Sequence, residues 1–293
     1  MVVSSNLITF VVGPTASGKS NWALSEAEKS GGAIVNADSV QAYTDLTIGA
    51  AKPSEEDRKR ISHYLYDIIS PHDNFTAGDY RRKALQIIEE KISAQPLFFV
   101  GGSGFYIQAL EKGMFEIEAI PPHILQMVDE IKSQNRLFEE LKLRDMKAAI
   151  KIGPTDPYRL ERALGVVLSE GRALDIIRAE FESQNKPLGE QYKLKKIGIY
   201  VDRDQLRKRV VSRTKTMLAS GFIEEVEGLL SKGFADTKAL KSVGYKEVVS
   251  FLKGELKREE LLSLVVTSTM QLAKRQMTWF KRDQEIQWIS PNS

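Results

Sequence analysis

The chain has no cysteine among its 293 residues and only three histidines, His63, His72 and His123. The first absence excludes disulfides, thiolate metal ligands and a cysteine nucleophile, and it fits a reducing compartment. The histidines show neither helix-face nor finger spacing, so they read as ordinary loop or helix residues and not as a metal cluster. No window of eighteen apolar residues is present, and Met1 to Ser5 is too short for a signal peptide. A soluble, cytoplasmic protein with no membrane segment is therefore expected. Internal repeats and low-complexity tracts are also absent.

What is present is enough material for a large domain and a smaller one, with 42% hydrophobic and 28% charged residues. The net charge of +3 is unevenly spread: residues 1–150 carry 16 basic and 20 acidic side chains, residues 151–293 carry 26 and 19. A basic second half suits an anionic partner larger than a metabolite, although a solvated helical surface explains it equally well.

The most specific motif is Gly13-Pro14-Thr15-Ala16-Ser17-Gly18-Lys19-Ser20, set between the apolar run Leu7 to Val12 and a helical pattern beginning at Asn21. This is a complete phosphate-binding P-loop in strand–loop–helix context. Its glycines let successive amide N–H groups converge on one anion at a helix N-terminus. Lys19 adds a positive charge, and Ser20 offers a hydroxyl to Mg²⁺, a hard cation that favours oxygen. A chance glycine-rich turn would not repeat all eight positions in that context.

Leu7 to Val12, Ala33 to Ala37, Leu97 to Val100, Lys195 to Val201 and Ile286 to Ile289 read as strands. Thr76 opens a helix through Lys91 with a capping box, and Arg258 to Arg282 is a long helical segment. From about Phe115 to Gly189 the pattern is helical throughout. There Asp156-Pro157 is a helix start and Gly171 a stop. The expected fold is α/β: a P-loop NTPase-like parallel sheet flanked by helices, with a small all-helical insertion domain. The catalytic core is assigned to 1–114 and 190–293, the insertion to 115–189.

Two aspartates compete for attention. Asp202 ends an apolar strand in the manner of a Mg²⁺-holding carboxylate, but a strand ending in Asp before a helix is also ordinary capping, the reading preferred here. Asp38 leaves the strand beside the P-loop. It can assist Mg²⁺ binding or accept a proton from an attacking nucleophile, and the residues alone leave both roles open.

Taken together, several separated motifs resemble the tRNA dimethylallyltransferase family, the isopentenyl-diphosphate:tRNA transferases. They are Gly13 to Ser20, Asp38-Ser39-Val40-Gln41-Ala42-Tyr43, Ile48 to Pro53, Gly101-Gly102-Ser103-Gly104-Phe105-Tyr106, Asp156 to Leu164, Arg213 within Ser212 to Met217, Ser242 to Tyr245, and Gln271 to Gln276 before Trp279. The resemblance runs from about Val12 to Trp288 and is weak from Met114 to Gly153.

The resemblance implies transfer of a prenyl group from dimethylallyl diphosphate to the exocyclic amine of the adenine just 3′ of a tRNA anticodon, so the P-loop would bind a diphosphate leaving group. It further implies Asp38, Ser103 and Arg213 as catalytic residues and Gly13, Pro14, Thr15, Ala16, Ser17, Gly18, Lys19 and Ser20 as the diphosphate site, with Ser20 on Mg²⁺. The tRNA anticodon stem-loop would meet Asp38, Ser39, Val40, Gln41 and Ser103. It would also meet Tyr158, Arg159, Leu160, Glu161 and Arg162, and Lys241, Ser242, Val243, Gly244, Tyr245 and Lys246. The enzyme is expected to act as a monomer. Three positions depart from the family pattern: Ser103 stands where threonine is usual, and Lys241 and Lys246 stand where arginine is common, which removes forked hydrogen bonding. A small-molecule or nucleotide kinase is the alternative, since it would use the same loop with ATP. A non-catalytic RNA-binding protein would leave Asp38 without a task.

Overall fold

The computed structural model describes residues 6–114, 120–184 and 186–291. The chain divides into two compact units, Met1–Lys112 with Leu188–Ser293, and Gly113–Pro187. The division thus falls at Gly113 and Leu188, against expected edges at 115 and 190.

The first unit opens with β1 (Leu7–Val12), α1 (Lys19–Ser30), β2 (Ala33–Asn36), α2 (Glu55–Arg60), β3 (His63–Tyr64), α3 (Ala77–Lys91), β4 (Leu97–Gly101) and α4 (Gly104–Lys112). The second unit consists, among the described residues, of α5 (Pro122–Ser133), α6 (Leu137–Arg144), α7 (Met146–Ile152), α8 (Pro157–Glu170) and α9 (Leu174–Gln184). The chain then returns to the first unit with α10 (Leu188–Gln191), β5 (Lys193–Ile199), α11 (Arg203–Ala219), α12 (Phe222–Ser231), α13 (Tyr245–Leu252), α14 (Arg258–Phe280) and β6 (Gln287–Ile289).

The six strands form one sheet in the order β3-β2-β4-β1-β5-β6, and every pairing is parallel. Every residue of β4 is buried, as is β1 after Leu7, which suits a parallel sheet covered on both faces. β5 begins at Lys193, before the expected Lys195, because its register with β1 runs from Leu7↔Lys193 to Val12↔Gly198. Its exposed lysines face solvent on the pleat, so an apolar pattern alone misses them. It stops at Ile199, and α14 stops at Phe280, short of Arg282.

Local chemistry fixes the helix ends. Thr76 Oγ1 accepts the Asp79 N–H at 3.2 Å while the Asp79 carboxylate accepts the Thr76 N–H at 2.9 Å, a reciprocal cap that satisfies two orphan donors. Asp156 Oδ1 accepts the Arg159 N–H at 3.0 Å with Pro157 first in α8, and Gly171 at φ 65 closes that helix. Asp202 caps α11, accepting the N–H groups of Asp204 and Gln205 at 3.0 Å each. The second unit has its own core, with Leu141, Ala149 and Leu164 fully buried.

Candidate active site

Contrary to the expectation from sequence, the strand that leads to Asp38 is not the direct neighbour of the P-loop strand: β4 lies between β1 and β2, and the C-terminal ends of the three strands deliver the P-loop, the turn at Gly101 to Gly104, and Asn36 to Gln41 at one edge of the sheet. Ligands in open parallel sheets bind at this edge. Within the P-loop, Gly13 has φ 147, and a Cβ there would lie 2.8 Å from the Ile199 carbonyl oxygen. Ala16 adopts a left-handed φ of 63, the kind of backbone strain that concentrates at binding sites. Ser17 is fully buried, and its hydroxyl has no partner within the protein. The loop is gripped from two later helices. The Thr15 N–H donates to Gln276 Oε1 of α14 at 2.8 Å, and Arg209 of α11 donates to the Ser17 carbonyl at 2.9 Å.

Lys19 follows the loop and donates to the Pro14 carbonyl at 3.3 Å. Burial pushes its ammonium down to about 8, with nearby Asp38 opposing the shift and Arg213 adding to it. Arg213 is itself held below its ordinary value by burial, again opposed by Asp38. Two cations and one carboxylate therefore share a partly desolvated space, a surplus of positive charge that fits an anion.

Asp38 is held by its neighbours. Asn36, 1% exposed, accepts the Asp38 N–H at 2.8 Å and donates to the carbonyls of Asp38 at 2.9 Å and Leu65 at 3.0 Å. One carboxylate oxygen, Oδ1, accepts the Val40 N–H at 3.0 Å. Ser103 Oγ accepts the Ser39 N–H at 3.0 Å, and the Ser103 N–H donates to the Ala37 carbonyl at 3.2 Å.

The expected tRNA contacts separate into exposed and buried groups. Tyr158, Arg159 and Arg162 are exposed on α8 of the second unit. There Arg159 pairs with Asp156 at 3.2 Å, and Glu161 with Lys132 at 2.7 Å. Leu160 differs from a surface residue: it is 2% exposed, with its side chain packed in the helical core. The Tyr245 side chain is likewise removed from the surface. It is fully buried edge-on against Phe222, and its hydroxyl donates to Glu225 at 2.7 Å. Gly244 is buried at φ 95 and donates its N–H to Glu247 at 2.8 Å. Lys241 and Lys246 are exposed, and Ser242 and Val243 are half-buried. The Gln41 amide is committed to the carbonyls of Ala50 and Ala51 at 3.0 and 3.1 Å.

Sequence reading misses Asn36, Arg209, Glu225 and the role of Gln276. Glu225 accepts the N–H groups of Thr47, Ile48 and Gly49 at 3.1, 2.6 and 3.2 Å as well as the Tyr245 hydroxyl. The motif Ile48 to Pro53 and the motif Ser242 to Tyr245 thus meet at one carboxylate. Of the four, Asn36 and Gln276 carry a signal, Asn36 as the start of the Asp38 segment and Gln276 by its place in the motif Gln271 to Gln276.

The sequence profile described as IPP transferase matches residues 41–283. The chain belongs to the IPP transferase family. It is 45% identical over 286 residues to the tRNA dimethylallyltransferase of Bdellovibrio bacteriovorus, covering 96% of this chain and 92% of that one. It is 30% identical to the solved tRNA delta(2)-isopentenylpyrophosphate transferase of Staphylococcus epidermidis, with TM-score 0.68 and coverage of 97% and 93%. A solved eukaryotic dimethylallyltransferase acting on tRNA shares the fold at TM-score 0.84 and 22% identity, covering 97% of this chain and 74% of that one. Membership of the IPP transferase family displaces the kinase alternative. Among the described residues of this transferase, no helix is long and apolar enough to cross a membrane.

Proposed function

We propose that this chain is a tRNA dimethylallyltransferase that moves a dimethylallyl group from dimethylallyl diphosphate to the exocyclic amine of the adenine just 3′ of the anticodon. The observation that carries this reading is a held carboxylate, Asp38, sharing a P-loop site with Lys19 and Arg213 in a member of the IPP transferase family. The amine lone pair attacks the first carbon of the prenyl group, and the carbon–oxygen bond breaks with its electron pair going to diphosphate. Negative charge grows on the leaving group, so Lys19, Arg213 and the loop amides of Gly13 to Ser20 stabilise the transition state more than the ground state. The buried Ser17 hydroxyl is one further donor for that anion.

As the new carbon–nitrogen bond forms, the amine becomes acidic. Its proton goes to the carboxylate oxygen of Asp38 that is not engaged by the Val40 N–H. Ser103 holds Ser39 and thereby orients this segment.

The donors beside the loop are oxygens, with the exposed Ser20 hydroxyl first among them, and they suit Mg²⁺, which retains water and substrate phosphates in its shell. When bound, it supplies positive charge to the departing diphosphate. The group of three carboxylates found close together among the described residues, Glu111, Asp283 and Glu285, surrounds the Lys196 ammonium instead.

The adenine has to leave its stack to reach Asp38, at a cost of about a few kcal/mol that contacts to its neighbours offset. That reading assigns the contacts to Ser39, Val40, Lys241 and Lys246 in the sheet unit and to Tyr158, Arg159 and Arg162 in the helical unit, all exposed or half-buried. A tRNA substrate fits a cytoplasmic enzyme, and the residues assigned to the site belong to one chain, which fits action as a monomer.

The test incubates the protein with Mg²⁺, radiolabelled dimethylallyl diphosphate and unmodified tRNA, then maps the label by nuclease digestion. Label on the adenine following the anticodon is the expected outcome. ATP-dependent phosphorylation of a metabolite, with no label on tRNA, would refute the reading.

A further inference from the structure

The loop leaving β1 and the segment leaving β2 are not strand neighbours, because β4 separates them. What joins them is a run of hydrogen bonds across the end of β4. Gln276 accepts the Thr15 N–H at 2.8 Å through Oε1 and donates to the Gly102 carbonyl at 3.1 Å through Nε2. One residue on, Ser103 donates its N–H to the Ala37 carbonyl at 3.2 Å and accepts the Ser39 N–H at 3.0 Å. Gln276 is 8% exposed, and a flipped amide would face donor to donor and carbonyl to carbonyl, so a single orientation serves. A Cβ on residue 102 would lie 2.1 Å from Gln276 Nε2, so glycine there makes room for this bridge.

We infer that Gln276 is a positioning residue that fixes the spacing between the diphosphate loop and the Asp38 segment, an inference that rests on the prenyl-transfer reading. Displacement at carbon needs the leaving oxygen, the carbon and the amine nitrogen in line. The leaving oxygen is held by the P-loop, and the amine by the Asp38 side. A misplacement of about 1 Å in such a geometry lowers the rate on the order of 10²-fold. Gln276 is buried and its amide is committed to the protein at both ends, so it acts through the two loops.

The experiment uses Gln276→Met, which keeps side-chain length and removes both hydrogen bonds, and Gln276→Glu, which keeps an acceptor for Thr15 and loses the donor to Gly102. Single-turnover prenyl transfer at saturating donor and tRNA is measured beside the Kd of each substrate and the Tm. The expected result is a rate lowered roughly 10- to 100-fold in folded variants, with each Kd within about threefold of the parent value. A merely structural role would lower Tm and leave the saturated rate intact, and that result overturns the inference. So does a loss confined to donor Kd. If the methionine variant does not fold, the glutamate variant is judged by the same criterion. An unsubstituted protein that transfers no prenyl group would refute the functional reading, whereas an active parent with an equally active Gln276→Met variant refutes only the role of Gln276.

Discussion

Lys19 brings to the site a charge that burial makes conditional on pH. Its ordinary value of 10.5 is pushed down to about 8, so the free enzyme loses this cation as pH rises through about 8, and binding the diphosphate above that point requires proton uptake. The donor KM should therefore rise roughly tenfold per pH unit above about 8, while turnover at saturating donor changes less. A KM that stays flat to about pH 10 would contradict the assignment. For stability the sign is opposite: the unfolded chain keeps this proton up to 10.5, so the native state gains stability from this group between about 8 and 10.5. Asp38 carries the second prediction at this scale. Asp38→Asn keeps an acceptor for the Val40 N–H but cannot take a proton, so saturated turnover should fall roughly 10²- to 10⁴-fold with tRNA affinity little changed. Unaltered turnover would remove Asp38 as the base. The Asp38 segment and the P-loop are legible in sequence because each is a contiguous run of residues. The burial of Leu160 and Tyr245 is not legible for a related reason, since a motif string does not separate residues whose side chains face outward from those that pack behind them.

The end of β4 shows how an element can be shaped by its neighbours. A Cβ at Gly101 would sit 2.0 Å from the Ala37 carbonyl oxygen, and one at Gly104 would sit 2.2 Å from Trp279 Cδ1. The obstacle at Gly101 is the backbone of Ala37, which cannot rotate away as a flexible side chain can. Gly101→Ala should destabilise by about 1–3 kcal/mol or more and abolish transfer. Gly228 is the contrast: it lies within α12 with nothing within 4 Å of its missing Cβ, so Gly228→Ala should stabilise by up to about 1 kcal/mol. Thermal melts of the two variants check both, and a Tm for Gly101→Ala equal to the parent's would contradict the packing account. The caps at Thr76, Asp156 and Asp202 are visible in sequence because a cap is made by residues two or three apart. The true start of β5 is not, since pairing with β1 decides it. The partnership of Thr15 with Gln276, separated by 261 positions, leaves no local trace.

At the scale of the whole molecule, the two units differ in what they carry. The sheet unit holds the P-loop, Asp38 and Arg213, and the helical unit offers an exposed basic start to α8. The excess of Lys and Arg in residues 151–293 is visible in composition, but composition does not distinguish an RNA surface from a solvated one. The strand order β3-β2-β4-β1-β5-β6 is likewise not readable, because it depends on which strands pair across the sheet. Replacing Arg159 and Arg162 with Ala should weaken tRNA binding, lower the salt dependence by about one unit of slope for each phosphate no longer neutralised, and leave donor KM unchanged. Equal salt slopes for parent and variant would assign these arginines to the surface alone. In the proposed reaction the P-loop holds a leaving group and not a nucleotide to be hydrolysed. The most direct test is mass spectrometry of nucleosides from tRNA incubated with the protein, Mg²⁺ and dimethylallyl diphosphate without ATP, alongside a diphosphate assay. One prenylated adenosine per diphosphate released is the predicted result, and unmodified adenosine, or a product formed only when ATP is supplied, would contradict it.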